Sequence, residues 1–193
     1  EVTNFTEEEI LEGLLANSKY KPVESGKIYN IVNMGYGTVI YENTNGNQVR
    51  CQSADKSKFS QYWRIINENG KYYIQNVLSE RYIKKQNGAF SQIYSTSATK
   101  SASANGFTLS KTDNDTEHTY AIVDQNPAGL HCDASSNVVG WYYTDNNNSI
   151  WGFQPVEVTE EEIAEARKSY VEYEALSKNL SAYNTRMKAL FSD

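Results

Sequence analysis

The sequence predicts an all-β fold: a barrel of three repeated four-stranded units, with a short helix before it and a long one after. Three observations predict it. Trp63, Phe107 and Trp151 stand 44 residues apart and then 44 again. Upstream of each lies a strand of alternating pattern: Tyr29 to Asn33, Tyr73 to Asn76 and Tyr120 to Asp124. The two ends of the chain instead show helical spacing after an identical start, Thr-Glu-Glu-Glu-Ile, at 6–10 and at 159–163.

The first of these starts reads as a capping box. The Thr6 hydroxyl caps a backbone N–H while Glu9 reaches back to the start of the helix. Ile10, Leu11, Leu14 and Leu15 then fall on one helical face, and Pro22 closes this section of helix and linker, residues 1–25.

In the middle of the chain, each aromatic sits in a similar setting: Gln61-Tyr62-Trp63-Arg64-Ile65, Asn105-Gly106-Phe107-Thr108-Leu109 and Ser149-Ile150-Trp151-Gly152-Phe153. Tyr29 to Trp63 is 34 residues, as is Tyr73 to Phe107, whereas Tyr120 to Trp151 is 31, so the third unit is shorter in a loop. Within that unit the pattern predicts strands at about 119–124, 129–134, 137–143 and 149–154. Asn126 to Gly129 and Asp145 to Asn148 supply the turns between them. Short strands with no helical period between them make a barrel or sandwich and exclude a parallel sheet. Three propeller blades would be too few to close. The reading is therefore a β-trefoil over 26–155, with repeats at about 26–66, 67–110 and 111–155, its recurrent aromatics filling the core.

The last section, 156–193, is a long helix from Thr159. Three acids in its first turn suit the positive end of the helix dipole. Leu176, Leu180, Tyr183, Met187 and Leu190 recur at a three-four spacing that marks a buried stripe. Packing within the molecule is the expected use of this stripe; a partner helix or a connector to a neighbouring domain is the alternative.

Composition bounds the function. The 193 residues are 39% hydrophobic and 22% charged, enough for one packed domain with appended helices. A formal charge of -6 without a dense Lys/Arg cluster argues against nucleic acid as a partner. No stretch is apolar enough for a transmembrane segment. The chain opens at Glu1 without Met, so either a targeting segment has been removed or this is a piece of something longer. Fifteen Tyr suit strands and also surfaces that bind sugars or proteins. Cys51 and Cys132 are expected as two buried free thiols, with a disulfide as the other possibility.

A zinc site is not expected with only two histidines and no Cys-x-x-Cys. Asp113-Asn114-Asp115 starts like a calcium loop but lacks its Gly and terminal Glu, and is read as a solvated turn. His118 and His131 have no nucleophile elbow or carboxylate pair to work with, and His131 reads as a satisfied strand residue. Neither catalysis nor a cofactor is expected.

Gln61-Tyr62-Trp63 resembles the Gln-x-Trp signature of ricin-type β-trefoil lectin domains, with Phe107 and Trp151 in the equivalent places. The resemblance covers about 130 residues and excludes both terminal helices. The stretch Leu130-His131-Cys132-Asp133 through Asn137-Val138-Val139-Gly140-Trp141 is similar to trefoil domains attached to secreted carbohydrate-active proteins of gut bacteria. In that family a sugar site combines an Asp after the second strand, an aromatic on or after the third, and an Asn before the Gln-x-Trp. Carboxylate and amide hydrogen-bond vicinal hydroxyls, while the exposed ring packs the C–H face of a pyranose.

Carried over, only the third repeat offers all three, as Asp133, Trp141 and Asn148, with Tyr142 and Tyr143 as alternative platforms. The Asp position falls near Tyr41 or Glu42 in the first repeat and near Lys85 in the second. Ser149 stands where the family has Gln, and the segment from Asp133 to Trp141 is shorter than usual.

The resemblance implies a non-catalytic carbohydrate-binding module, secreted or at the cell surface, that takes a glycan or polysaccharide weakly at Asp133, Trp141, Tyr143 and Asn148. The second expectation is a structural or protein-interaction domain of a longer chain, with the C-terminal helix connecting to its other domains.

Overall fold

The computed structural model describes residues 5–43, 45–112 and 116–190, the side chain of Leu190 excepted. Asp113-Asn114-Asp115 lies outside the described residues. The chain divides into two compact units, Glu1–Glu157 and Val158–Asp193.

The first unit opens with α1 (Glu7–Asn17). Its capping box is built as the sequence predicts: Glu9 N donates to Thr6 Oγ1 at 3.2 Å, and Thr6 N to Glu9 Oε2 at 2.8 Å. These hydrogen bonds hold the Glu9 carboxyl below its ordinary pKa. None of the helix is buried, and Ile10 and Leu14 are exposed. Among the described residues twelve strands follow: β1 (Ile28–Asn33), β2 (Val39–Asn43), β3 (Gln48–Gln52), β4 (Trp63–Glu68), β5 (Lys71–Asn76), β6 (Tyr82–Lys84), β7 (Ser95–Ser97), β8 (Thr108–Lys111), β9 (Thr119–Gln125), β10 (Ala128–Cys132), β11 (Val138–Tyr142) and β12 (Ile150–Pro155). A single helical turn, α2 (Ala102–Asn105), precedes β8.

The pairings form two closed circuits. β1 pairs with β4 and with β12, β4 with β5, β8 with β9, and β9 with β12. A bridge from Tyr72 to Phe107 joins β5 to the entry of β8 and closes this six-stranded barrel. The other six strands make three hairpins, β2–β3, β6–β7 and β10–β11. These are joined by Gln48 to Ser95, Ile93 to Val139 and Arg50 to Asn137. The result is an all-β, trefoil-like architecture. The hairpin between β4 and β5 turns on Asn69-Gly70, both at positive φ, which matches the twist of the strands it joins.

The recurrent aromatics are the centre of the core. Trp63, Phe107 and Trp151 are fully buried among Tyr29, Ile65, Ile74, Ile122 and Phe153. Both indoles also reach out of the barrel. Trp63 Nε1 donates to Ile40 O at 3.0 Å, and Trp151 Nε1 to Leu130 O at 2.9 Å, each anchoring the first strand of a hairpin. Phe107 has no donor to do this for Ile83; there Asn105 Nδ2 donates to Ile83 O at 3.0 Å instead.

The polar residue two places before each aromatic is also buried. Gln61 accepts from Asp55 N and donates to Ser53 O. Asn105 accepts from Ser101 N. Ser149 Oγ donates to Tyr142 O at 2.8 Å. The Gln-x-Trp pattern is therefore a packing device: its amide satisfies backbone groups that the chain buries on entering the barrel.

Cys51 and Cys132 are both free and buried. The hydrogen bond between the two thiols, with burial, pushes the Cys51 pKa up.

The second unit is α3 (Glu160–Leu190). It repeats the cap of α1, with Glu162 N donating to Thr159 Oγ1 at 3.1 Å and Thr159 N to Glu162 Oε2 at 2.7 Å. The stripe expected to be buried is exposed at Leu176, Leu180 and Tyr183. Tyr, Leu and Ala interspersed with charges make a stable helix without determining what covers it. No described helix is long and apolar enough to cross a membrane.

Replacing Trp151 with Ala removes a fully buried indole and leaves the Leu130 carbonyl without its donor. Urea unfolding should show a loss of about 3–5 kcal/mol, with β10–β11 losing amide-exchange protection first.

Candidate functional site

The outer face of the β10–β11 hairpin is set by strand alternation. Its register pairs Gly129 with Trp141, His131 with Val139 and Leu130 with Gly140. Successive side chains alternate between faces, so Leu130, Cys132 and Val138 point inward and are buried. His131, Asp133, Val139 and Trp141 are left on the other face. Ser91, from the loop between β6 and β7, completes a cleft of about 230 Å³ with these four. This is below the roughly 300–1,000 Å³ of most small-molecule pockets, so a ligand would be only partly enclosed.

That loop is held on the hairpin by its backbone. Ser91 N donates to Gly140 O at 2.9 Å and Gly140 N to Gln92 O at 3.1 Å. A Cβ on Gly140 would lie 1.9 Å from Ala89 O, so only glycine admits this approach. The contact brings the Phe90 ring against Trp141, with centroids 5.7 Å apart, and against Tyr142 at 4.7 Å. Phe90 and Tyr142 are exposed and Trp141 half-buried, so a small aromatic surface borders the cleft. The Trp141 ring is oriented by its Nε1, which donates to Asp145 Oδ2 at 3.0 Å.

Asp133 is half-buried and shapes the turn that follows it. Its Oδ1 accepts from Ser135 N and Asn137 N, both at 2.8 Å, and its Oδ2 from Asn137 Nδ2 at 3.0 Å. A carboxylate has about four acceptor positions, so these three bonds orient it and leave capacity for one more donor.

His131 Nδ1 lies 2.8 Å from Ser149 Oγ. Because that hydroxyl gives its single hydrogen to Tyr142 O, His131 must be the donor here. The neutral ring therefore carries its proton on Nδ1, and Nε2 is an acceptor. Among the described residues, no hydrogen bond to Nε2 is present. Burial lowers the His131 pKa from 6.5, against the opposing pull of Asp145 and Asp133.

Of the residues read from the sequence, Asp133 and Trp141 meet in this cleft. Tyr143 and Asn148 stand elsewhere. β11 ends at Tyr142, and Tyr143 lies in the turn after it, its backbone N–H donating to Pro127 O at 3.3 Å. Tyr143 lines a different cavity, of about 350 Å³, with Lys111, Thr112 and Thr144. Asn148 packs on the loop after β1: a Cβ on Gly35 would lie 1.7 Å from its Oδ1. Its carbonyl accepts from Asn33 Nδ2 at 2.8 Å. His131, Ser91, Phe90 and Asp145 were not singled out as site residues from the sequence. His131 was legible in principle, since it shares the outward face of Asp133 two residues away. The loop residues come from another unit and left no local signal.

Counted from the anchored carbonyls of Ile40, Ile83 and Leu130, the places equivalent to Asp133 hold Asn43 and Gln86, and the residues just before them, near which the sequence set the Asp position, belong to structural polar clusters. Glu42 is buried and accepts from Ser79 Oγ and Thr96 Oγ1, with Arg81 Nε at 3.5 Å. Lys85 Nζ stands 3.8 Å from buried Asp124, whose Oδ2 also accepts from Tyr94 OH at 3.1 Å. Burial, with the Asp124 charge, raises the Tyr94 pKa. No group of metal-ligating side chains is present among the described residues.

The fold is a β-trefoil of the kind seen in ricin B-like lectins. No protein-family model matches the chain, and none of the curated proteins compared with it does. Among solved structures it is similar to the ricin B-like lectin of Macrolepiota procera, crystallised with lactose, at 15% identity and a TM-score of 0.60. That match covers 69% of this chain and 99% of the lectin. The Rhizoctonia solani agglutinin matches at 19% identity and a TM-score of 0.57, over 70% of this chain and 100% of its own. A GlcNAcα1-4Gal-releasing endo-β-galactosidase from Clostridium perfringens matches at 15% identity and 0.57, over 68% of this chain but only 33% of the enzyme. At these identities the likeness is one of fold.

The depressed pKa of His131 has a signed consequence. Folded His131 holds its proton less tightly than the unfolded chain, so its contribution is complete above 6.5 and is lost as the pH falls below that value. Urea unfolding across this range should show stability declining more steeply in the native protein than in His131→Asn. Burial lowers His118 as well, but that effect is common to both proteins and cancels in the comparison.

Proposed function

We propose that the domain is a non-catalytic carbohydrate-binding module whose site is the cleft on the β10–β11 hairpin. The observation that carries this reading is the juxtaposition of a half-buried, oriented indole with two acceptors, the Asp133 carboxylate and His131 Nε2. An aromatic face packs the C–H face of a pyranose, and the acceptors take its equatorial or axial hydroxyls. Ser91 lines the same cleft and its hydroxyl can both donate and accept. The lactose-bound lectin of Macrolepiota procera shares the fold and supports the ligand class.

On this reading the trefoil comprises three four-stranded repeats at about 26–66, 67–110 and 111–155, and only the third binds. Asn43 and Gln86 support that asymmetry, because neither supplies a carboxylate and each is engaged within the chain, Asn43 Oδ1 by Asn45 N and Gln86 Nε2 by Gln92 O. A small cleft with few polar groups implies weak monovalent binding, in the roughly millimolar to high micromolar range. Avidity would then come from several copies of the site. The resemblance of the 130–141 stretch to domains of secreted carbohydrate-active proteins supports a secreted or surface-attached setting.

A glycan array followed by calorimetric titration of the best ligand tests the proposal. Trp141→Ala and Asp133→Ala should each weaken binding roughly tenfold or more. Tyr143→Ala, in a different cavity, should leave it nearly unchanged. Binding to no glycan, or binding indifferent to Trp141 and Asp133, would refute the site.

A further inference from the structure

The exposed face of α3 is organised as a coiled-coil seam. Tyr173, Leu176, Leu180 and Tyr183 follow one another at steps of three, four and three, the spacing of alternating a and d positions. They are 69, 68, 60 and 58% exposed, so most of each side chain is left to solvent and the four form an exposed patch. Val171 is also exposed but lies off the seam.

The residues flanking the seam select both the occupant and its direction. With Tyr173 and Leu180 at a, the g positions are Glu172, Asn179 and Arg186, and the e positions are Tyr170, Ser177 and Asn184. In an antiparallel pair, g faces g and e faces e. Setting Leu176 against Leu180 of a second copy brings Tyr173 opposite Tyr183, and the same alignment places Glu172 opposite Arg186 at both ends. Asn179 meets its own counterpart at the centre. A parallel pair would face Glu172 with Ser177 and make no such ion pair. The flanks are thus self-complementary in one orientation only, with one acid and one base placed symmetrically about Asn179.

We propose that the α3 seam is a self-association surface and that its partner is a second copy of this chain, docked antiparallel through Tyr173, Leu176, Leu180 and Tyr183. Such a contact is isologous: it uses the same patch twice and closes as a dimer. The inference is independent of the glycan-binding reading, although a dimer would present two copies of any site on the trefoil.

Sedimentation equilibrium on the full chain, at concentrations from low to high micromolar, tests it. The expected result is a mass rising from 21.9 kDa towards twice that value. Leu180→Lys should abolish the rise; because this residue is exposed, circular dichroism should show the fold unchanged. Glu172→Lys and Arg186→Glu should each dimerise roughly tenfold more weakly alone, since each then meets a like charge. Mixed in equal amounts, they should recover dimerisation, because every facing pair is again opposite in sign. A chain that stays monomeric at every concentration would overturn the proposal, as would a dimer indifferent to Leu180→Lys. Failure of the mixed charge variants to recover would overturn the antiparallel arrangement.

Discussion

The hydrogen bond from the Trp151 indole to the Leu130 carbonyl joins the barrel to the hairpin that carries the cleft. Trp151 is held by the barrel core, and Leu130 belongs to the strand whose next outward residue is His131. With the donor fixed and the acceptor buried, β10 has one available register. A slip of one residue would turn His131 and Asp133 inward and bring Leu130 and Cys132 to the surface. The site therefore inherits its precision from a core aromatic that no ligand would touch.

The equivalent bond from Trp63 to Ile40 anchors the first hairpin in the same way, so the architecture supports three outward faces of one kind. What differs is how their polar groups are used. In the first unit, Glu42 is drawn into a cluster with Arg81, Ser79 and Thr96. In the second, Lys85 turns to Asp124. A buried charge needs a partner, and in both places the partner is internal. In the third repeat that inward position is held by Cys132, and the carboxylate comes one residue later, on the outer face, where Asp133 is half-buried. The turn after Asp133 orients the group without neutralising it.

The barrel was legible in the sequence because its information is periodic. Trp63, Phe107 and Trp151 recur evenly, and the strands before them alternate with a period of two. Asp133, Trp141, Tyr143 and Asn148 were all placed by family resemblance, and Asp133 and Trp141 meet in one cleft because both lie on the outward face of two paired strands. Tyr143 and Asn148 lie beyond the paired strands, where that alternation no longer sets the face of a side chain. Tyr143 lies in the turn beyond β11, and Asn148 lies in a one-turn helical segment, Asn147–Ser149, where its own carbonyl is tied to Asn33. Phe90 and Ser91 reach the cleft from another unit, through a contact that depends on the missing Cβ of Gly140. His131 was visible as a strand residue. Its tautomer depends on Ser149, 18 positions away, which stands where a ricin-type signature has Gln. The α3 stripe was likewise visible, although its exposure was not, since amphipathicity records that a face is apolar and carries no statement of what covers it.

The indole N–H resonances measure the central claim most directly. The chain has three Trp, so three such signals are expected, two from the buried Trp63 and Trp151 and one from Trp141 at the cleft. During titration with soluble mono- and disaccharides, the account predicts that the Trp141 signal and the ring resonances of His131 shift together and saturably, while those of Trp63 and Trp151 stay in place. A ligand that binds without moving Trp141, or that moves all three indoles alike, would contradict it.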